Sequence, residues 1–411
     1  MNPSAIPASQ LTLLNLVPFA FLAILLLFVR PAKLKTIHED YLSLQSTKNL
    51  QGFSMLCIMF HHLVQLISSY GWFNVGFITV FNDLGLIFTG IFFFCSGFGL
   101  ITSLEQKENY LRTFLYRRLP AIIIPFYTAN TLYICIVRYL WRRPDWPFLR
   151  ARALAYPAQI FSGWKLYNSH LWFPIEICII YLAFFIIFSL LKSRKVRPIA
   201  MGLMSLFIVG LIVFSMSLGH DYIDLEDSWF YGHWWYSSTL LFVVGMYYAY
   251  YQKGITRFFC RWYRVALPVV AVLFAGSVYL SSFLNFVVGY TPYGSFKVLW
   301  KESTITLLGA TLMAVLFLLL MLLLSMKLKF DNIILRFLGT IAFELYLTHN
   351  IVLYYFFNKC ESEVNILLIV YVYVASIILA TAVHYFNALI LWGLRALTNK
   401  LDKGKKATAR V

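Results

Sequence analysis

Long apolar runs, separated by short polar stretches, repeat along the whole chain. About 20 mainly apolar residues form a helix long enough to cross a bilayer core of roughly 30 Å, so each run predicts one transmembrane helix. Eleven runs meet this length, near residues 10–29, 50–69, 83–103, 120–140, 171–191, 198–217, 234–252, 265–283, 304–326, 334–357 and 365–394. The pattern predicts an all-α polytopic membrane protein with about eleven transmembrane helices. A composition that is 61% hydrophobic and only 12% charged excludes a soluble enzyme.

The positive charges indicate how the helices are oriented. The chain has 34 Lys and Arg against 17 Asp and Glu, but these residues lie between apolar runs rather than on a soluble domain, so no nucleic-acid partner is predicted. If residues 30–49 are cytoplasmic, 25 of the 34 cations fall in cytoplasmic segments. Because Lys and Arg are enriched in cytoplasmic loops, the N-terminus is predicted outside and the C-terminus inside a cell (inner or plasma) membrane.

One predicted outer loop does not follow this charge rule. Residues 138–170 contain six of the nine cations left outside, together with three tryptophans. Either a long loop crosses the membrane despite its charge, or one helix is misassigned, or the loop is a basic aromatic surface for an anionic or glycan substrate. These interpretations stay open at the level of sequence.

Polar residues inside the predicted helices are candidates for function, because charge at membrane depth costs energy. The adjacent pair His61 and His62 lies within the second apolar run. Neighbouring helical residues point about 100° apart, so a single catalytic imidazole is favoured over a pair. A histidine suits a general base because its pKa is near neutrality. Packing histidines are the alternative interpretation, which applies above all to His384.

The six cysteines are scattered and show no metal-ligand or disulfide spacing, so no metal is predicted. The first apolar run lacks a positive leader and a cleavage site, and it is predicted to be a retained anchor.

The segment Thr47–His62 resembles the signature helix of the acyltransferase family 3 membrane acyltransferases. In that family a basic residue precedes the signature histidine with ten residues between them. Counting back from His62 reaches Gln51, and counting back from His61 reaches Leu50. The resemblance therefore favours His62 as the catalytic residue and keeps His61 as the second candidate. Gln51 lacks the charge of the family's arginine, and Lys48, one turn earlier, is a candidate to replace it.

Five further segments resemble family motifs in the expected order. They are Phe92–Gly99 (FF-x-x-SG-[YF]), the basic segment Tyr110–Pro120, His170–Phe173 (HLWF), Trp235–Gly245 (W-Y…F-x-x-G-M) and Leu338–His349 (LG-x-x-[SA]-x-x-[IL]-YL-x-H). The resemblance implies an anchor and linker over residues 1–44, an acyltransferase domain over 45–395 with a ten-helix core, and a basic cytoplasmic tail over 396–411. Ser96 and its neighbouring glycines have close helix packing as an alternative role.

The resemblance also implies the reaction: transfer of an acyl group, first of all acetyl, from cytoplasmic acyl-CoA to a hydroxyl of a carbohydrate or lipid-linked acceptor. Acyl-CoA would be a co-substrate, with no metal. The implied donor-binding residues are Lys48, Gln51, Arg112, Arg117 and Arg118. Residues with an acceptor-binding or structural polar role are Ser96, His170, Glu176, Glu344 and His349.

Two other functions stay open at the level of sequence. One is a transporter or flippase that moves a glycan or lipid intermediate, and the other is a membrane glycan polymerase. The sequence indicates neither the oligomeric state nor the acceptor.

Overall fold

A computed structural model describes residues 8–33, 36–69, 76–136, 168–219, 237–287, 300–358 and 364–408, and these are almost entirely helical. The helices are α1 (Ala8–Leu26), α2 (Leu44–Ser69), α3 (Phe81–Gln106), α4 (Phe114–Arg118), α5 (Pro120–Cys135), α6 (Trp172–Leu190), α7 (Arg197–Gly219), α8 (Leu240–Val287), α9 (Trp300–Lys327), α10 (Ile333–Asn358) and α11 (Ile366–Thr408). By length and composition, eight helices of the described part can cross a membrane. The prediction of an all-α polytopic membrane protein is confirmed.

Helix α8 contains most of one predicted apolar run (234–252) and all of the next (265–283) without a break in the helix. Gly245 packs against the backbone of Phe94, and Ser282 donates a hydrogen bond to Asp83 (3.2 Å). In a straight helix, Gly245 and Ser282 would be about 55 Å apart at 1.5 Å per residue, whereas their partners on α3 are only about 17 Å apart. Helix α8 is therefore sharply bent, and both of its arms pack on α3.

Glycines bring two pairs of helices into backbone contact. A Cβ atom on Gly97 of α3 would lie 2.1 Å from the carbonyl oxygen of Phe242 on α8, and one on Gly245 would lie 2.2 Å from that of Phe94. A Cβ on Gly339 of α10 would lie 2.2 Å from the carbonyl oxygen of Lys48 on α2. Small residues permit this approach, as is usual where helices pack within a membrane. Helices α2, α3, α8 and α10 form the centre of the bundle.

The segments predicted to be cytoplasmic contact one another at one end of the bundle. Strand β1 (Arg30–Pro31) pairs with β2 (Leu328–Lys329) in an antiparallel sheet. The middle of α8 reaches the same end, where the hydroxyls of Tyr41 and Thr256 lie 2.8 Å apart. The N-terminal linker is thus attached to the connection between α9 and α10 and to the bend of α8.

A carboxylate also stabilises this end. Asn49 donates to the carbonyl oxygen of Phe330 (2.8 Å), and Arg336 forms an ion pair with Asp331 (2.6 Å). The hydrogen bond from Arg336 is the main cause that lowers the pKa of the Asp331 carboxyl below its usual value.

Candidate functional site

Three histidines from distant parts of the chain meet inside the bundle. His62 lies on α2, His349 on α10, and His170 on the 3₁₀ turn Ser169–Leu171 that precedes α6. The ring centroid of His62 is 4.1 Å from that of His170 and 5.2 Å from that of His349, and the last two are 5.7 Å apart. One ring nitrogen from each lies within 4.8 Å of the others. We call His62, His170 and His349 the histidine cluster.

Hydrogen bonds orient two of these rings. His62 Nδ1 lies 3.1 Å from Gln65 Oε1, and His349 Nδ1 lies 2.8 Å from the carbonyl oxygen of Tyr346 and 3.1 Å from that of Leu345. These oxygens only accept, so Nδ1 carries the proton in both rings and Nε2 keeps a lone pair. His349 Nε2 and His170 Nδ1 are buried and have no hydrogen-bond partner among the described residues.

His61 has a different position from its neighbour. Its Nδ1 donates to the carbonyl oxygen of Phe81 (2.6 Å), and its ring fills the space left by Gly85, where a Cβ would lie 2.4 Å from it. His61 therefore packs α2 against α3. Its ring centroid is 4.8 Å from that of His62, but its nitrogens are not among those that converge in the histidine cluster. The separation of about 100° between adjacent helical residues explains why only one of the two faces His170 and His349.

Helix α10 holds the turn that carries His170. Tyr346 donates its hydroxyl proton to the carbonyl oxygen of His170. Asn350 donates to Asn168 Oδ1 (2.8 Å), which also accepts from the amide of His170 (3.2 Å). Tyr346, Asn168, Asn350 and Gln65 were not predicted as site residues from the sequence. Tyr346 lies within a quoted motif and Gln65 follows His62 by three residues, whereas the two asparagines have no such signal.

Two buried carboxyl groups have partners of their own. Glu176 on α6 is fully buried and accepts a hydrogen bond from Thr239 (2.5 Å), and its second oxygen has no partner among the described residues. Glu344 on α10 lies 3.2 Å from His384 on α11. His384, expected to be a packing residue, thus lies beside a carboxylate. Glu344 and His349 have separate partners, in agreement with their 140° separation around the helix.

A basic cavity lies between the end of α3 and the start of α5. It has a volume of about 480 Å³ and includes Arg112, Arg117, Arg118 and Lys107 in its lining. Arg118 Nε donates to the Tyr110 hydroxyl (3.3 Å). The structure thus brings three of the five predicted donor-binding residues together. The other two, Lys48 and Gln51, are half-buried on α2 and are not among the residues that line this cavity.

Ser96 connects this cavity to α3. The hydroxyls of Ser96 and Tyr181 are 2.7 Å apart, and the Tyr181 ring packs against Phe114 in the cavity wall, with centroids 5.7 Å apart. Ser96 therefore forms a polar contact, while its neighbour Gly97 makes the close helix contact. Ser96 is eleven residues from Gly85, which lies beside His61, so the levels of Ser96 and His61 are about 17 Å apart along α3, and the basic cavity lies beyond Ser96 at the end of that helix.

Much of the predicted acceptor-facing surface falls outside the described residues. The basic loop 138–170 lies there except for its last three residues, and the acidic stretch 221–227 lies there completely.

Comparison with known protein families identifies a family that matches most of this chain. The model of acyltransferase family 3, described as an acyltransferase domain, matches residues 45–385. The match begins at the predicted start of the domain and contains His62, His170, His349 and the basic cavity. No curated protein and no solved structure matches the chain.

Proposed function

This chain belongs to acyltransferase family 3 and is a membrane acyltransferase, and from this premise we propose that it transfers an acyl group from acyl-CoA to a hydroxyl. Acetyl is the first candidate for the acyl group, and a carbohydrate or lipid-linked molecule is the proposed acceptor. The observation that carries the proposal is the pairing of a basic cavity with the histidine cluster inside one helical bundle. Membership of this family favours an enzyme that transfers an acyl group over a transporter that only carries a glycan or lipid.

The basic cavity is the proposed site for the phosphates of coenzyme A. Guanidinium groups bind phosphate through charge-assisted and often bidentate hydrogen bonds. Three arginines and one lysine, against one glutamate (Glu108), line a volume of about 480 Å³. This net positive lining suits a polyanion. The cavity lies at the end of α3 that is predicted to face the cytoplasm, where coenzyme A is found.

The separation of the two sites suits a long donor. Along α3, about 17 Å separates the level of Ser96 from that of His61, and the basic cavity lies farther on, at the end of the helix. Coenzyme A carries its thioester at the end of an extended pantetheine arm, so phosphates in the cavity and a reacting carbonyl near the histidine cluster are compatible with one bound molecule. Lys48 and Gln51 lie on α2 before His62, and we propose that they contact the donor outside the cavity.

His62 is the proposed general base. Its Nδ1 proton is held by Gln65, so Nε2 can accept a proton from the acceptor hydroxyl. The resulting oxygen attacks the thioester carbonyl, the carbon–sulfur bond breaks, and the proton on Nε2 passes to the leaving thiolate. His170 and His349 border the same space, where they can position the acceptor. A covalent acyl-imidazole is the alternative route for the same residue.

A transfer assay tests the proposal. Purified protein is incubated with labelled acetyl-CoA and a panel of surface-glycan acceptors, and label in the acceptor is counted. Loss of a general base costs about 10²- to 10⁴-fold in rate, so His62→Ala should reduce transfer by that amount. His38→Ala, on a half-buried histidine of the linker before α2, is the control and should retain activity. Full transfer by His62→Ala would contradict the role of His62, and His61→Ala would be tested next.

A further inference from the structure

The histidine cluster brings ring nitrogens without partners close together. His349 is fully buried, and its Nε2 has no hydrogen-bond partner among the described residues, nor does His170 Nδ1. The Nε2 atoms of His349 and His62 carry lone pairs, because the Nδ1 protons of these rings are donated to the carbonyl oxygen of Tyr346 and to Gln65. Two lone pairs cannot satisfy each other, since each requires a donor or an electron-pair acceptor. A metal cation is a single ligand that would bind both of them together with the neutral His170 ring.

We propose that His62, His170 and His349 bind a transition-metal ion of the Zn²⁺ type. Imidazole nitrogens are common ligands of zinc, and three histidines with one open position form a known zinc arrangement. Tetrahedral Zn²⁺ with bonds of about 2.0–2.1 Å separates its ligand atoms by about 3.4 Å. One ring nitrogen of each histidine here lies within 4.8 Å of one ring nitrogen of the other two. Small rotations of the side chains close that difference.

The surroundings of the rings favour metal binding. Histidines that bind a metal usually donate their second ring proton to a carbonyl or carboxylate oxygen, which fixes the tautomer and the ring orientation. His349 does so with the carbonyl oxygens of Leu345 and Tyr346, and His62 does so with Gln65. The three residues are distant in sequence, so no short metal-ligand motif in the sequence indicates this site.

The bound metal also regulates the reaction, an inference that rests on the proposed function. A cation on His62 Nε2 occupies the lone pair that would accept the proton of the acceptor hydroxyl. Metal and general base therefore compete for the same atom, and the metal-loaded protein is the inactive form.

Metal binding is measured first and without substrates. Full-length protein is purified in detergent and freed of metal with a chelator, and then Zn²⁺ is titrated by calorimetry while Co²⁺ is followed by its visible absorption. We expect one ion per chain and the absorption typical of tetrahedral Co²⁺. His170→Gln and His349→Gln should each weaken Zn²⁺ binding by more than about 100-fold, and Gln65→Ala by about 10- to 100-fold.

His384→Gln is the matched control, because it changes another histidine of the bundle that is outside the cluster. It should bind Zn²⁺ like the unmodified protein. Thermal unfolding of every variant without metal shows whether each one folds. Equal Zn²⁺ affinity in the folded His349→Gln and His384→Gln proteins, or absence of binding to the unmodified protein, would overturn the site.

Regulation is measured in the transfer assay. Added Zn²⁺ should lower the rate of the unmodified protein, and a chelator should restore it. For His349→Gln, the ratio of the rates with and without Zn²⁺ should approach one. Activity that requires Zn²⁺ would overturn the inhibitory role but leave the site. Absence of any acyl transfer would contradict the proposed function, while the binding titrations would still decide the metal site.

Discussion

At the scale of single residues, the positions of the polar side chains distinguish candidate catalytic residues from residues that pack helices together. His61 and His62 are neighbours, yet His61 contacts Phe81 and Gly85 whereas His62 faces His170 and His349. Mutating both residues would therefore remove a packing contact and a candidate catalytic group together. The two effects are separable only in single variants.

Tyr346 is expected to position His170 rather than to react. Its hydroxyl donates to the His170 carbonyl oxygen, and Tyr346→Phe would leave that acceptor without its donor and loosen the turn. A displaced reacting group can cost up to about 100-fold in rate, so we predict a fall in kcat of about tenfold with little change in the donor KM. Steady-state transfer assays measure both constants.

Tyr385→Phe is the control for this variant, since Tyr385 lies on the exposed face of α11. It should have the kinetic constants of the unmodified protein. A Tyr346→Phe protein whose kcat also equals that of the unmodified protein would show that His170 does not depend on this hydrogen bond.

Arg118 is expected to contribute to binding of the acyl-CoA donor. It lines the basic cavity and is oriented by Tyr110. Loss of a charge-assisted contact to a phosphate costs roughly 1.5–3 kcal/mol, so Arg118→Ala should raise the KM for acetyl-CoA by about tenfold or more, with a smaller change in kcat. The KM of the unmodified protein should rise with salt as the contact is screened.

Arg261→Ala removes the same charge from the exposed bend of α8, outside the cavity. Its donor KM should not change. If both variants raise the KM equally, net charge rather than the cavity accounts for donor binding.

At the scale of helices, two glycines in the recognised motifs bring α3 and α8 into backbone contact. Gly97 faces the backbone of Phe242 and Met246, and Gly245 faces that of Phe94 and Phe98. These motif positions are therefore explained by packing. The contact determines how α3, which adjoins both the basic cavity and His61, is placed in the bundle.

Gly97→Ala should destabilise the protein by about 1–3 kcal/mol, because the added Cβ would meet the carbonyl oxygen of Phe242 at 2.1 Å and the helices must separate. Gly99→Ala, on the same helix, meets nothing within 4 Å. It should be neutral or stabilising by up to about 1 kcal/mol, since alanine favours helix. Thermal unfolding in detergent measures both, and equal melting temperatures would contradict the close contact.

At the scale of the whole molecule, the cationic segments predicted to be cytoplasmic gather at one end. The linker after α1, the bend of α8 and the connection between α9 and α10 are joined by the contacts of Tyr41 with Thr256 and of β1 with β2. Glu105, at the end of α3, forms ion pairs with Arg194 and Arg197. Lys and Arg concentrated at one face match the charge rule that gave the predicted orientation.

Cys260 provides a test of that orientation. It is exposed on the bend of α8 between Arg257 and Arg261. In a variant that keeps only Cys260, a membrane-impermeant maleimide should label the protein in inside-out vesicles and not in intact cells.

A variant that keeps only Cys57 is the control, because Cys57 is buried in α2. It should react from neither side until the protein is denatured. Labelling of Cys260 in intact cells would reverse the predicted orientation.

The sequence alone was enough to predict the class of the fold and the family, and its spacing favoured His62 over His61. Those conclusions depend on local features, namely the length of apolar runs and the spacing between Gln51 and His62. It did not predict the single bent helix Leu240–Val287, because apolar runs on either side of a cationic stretch have the same pattern whether a loop or a helix joins them.

The tertiary structure decided which residues share a site. His62, His170 and His349 are separated by more than 100 residues at each step, and no local spacing records that their rings meet. It also divided the five predicted donor-binding residues into three arginines that line a cavity and two α2 residues, Lys48 and Gln51, that do not. The physical reason is that helix packing, through contacts such as Gly97 with Phe242 and Gly339 with Lys48, sets which faces of distant helices meet.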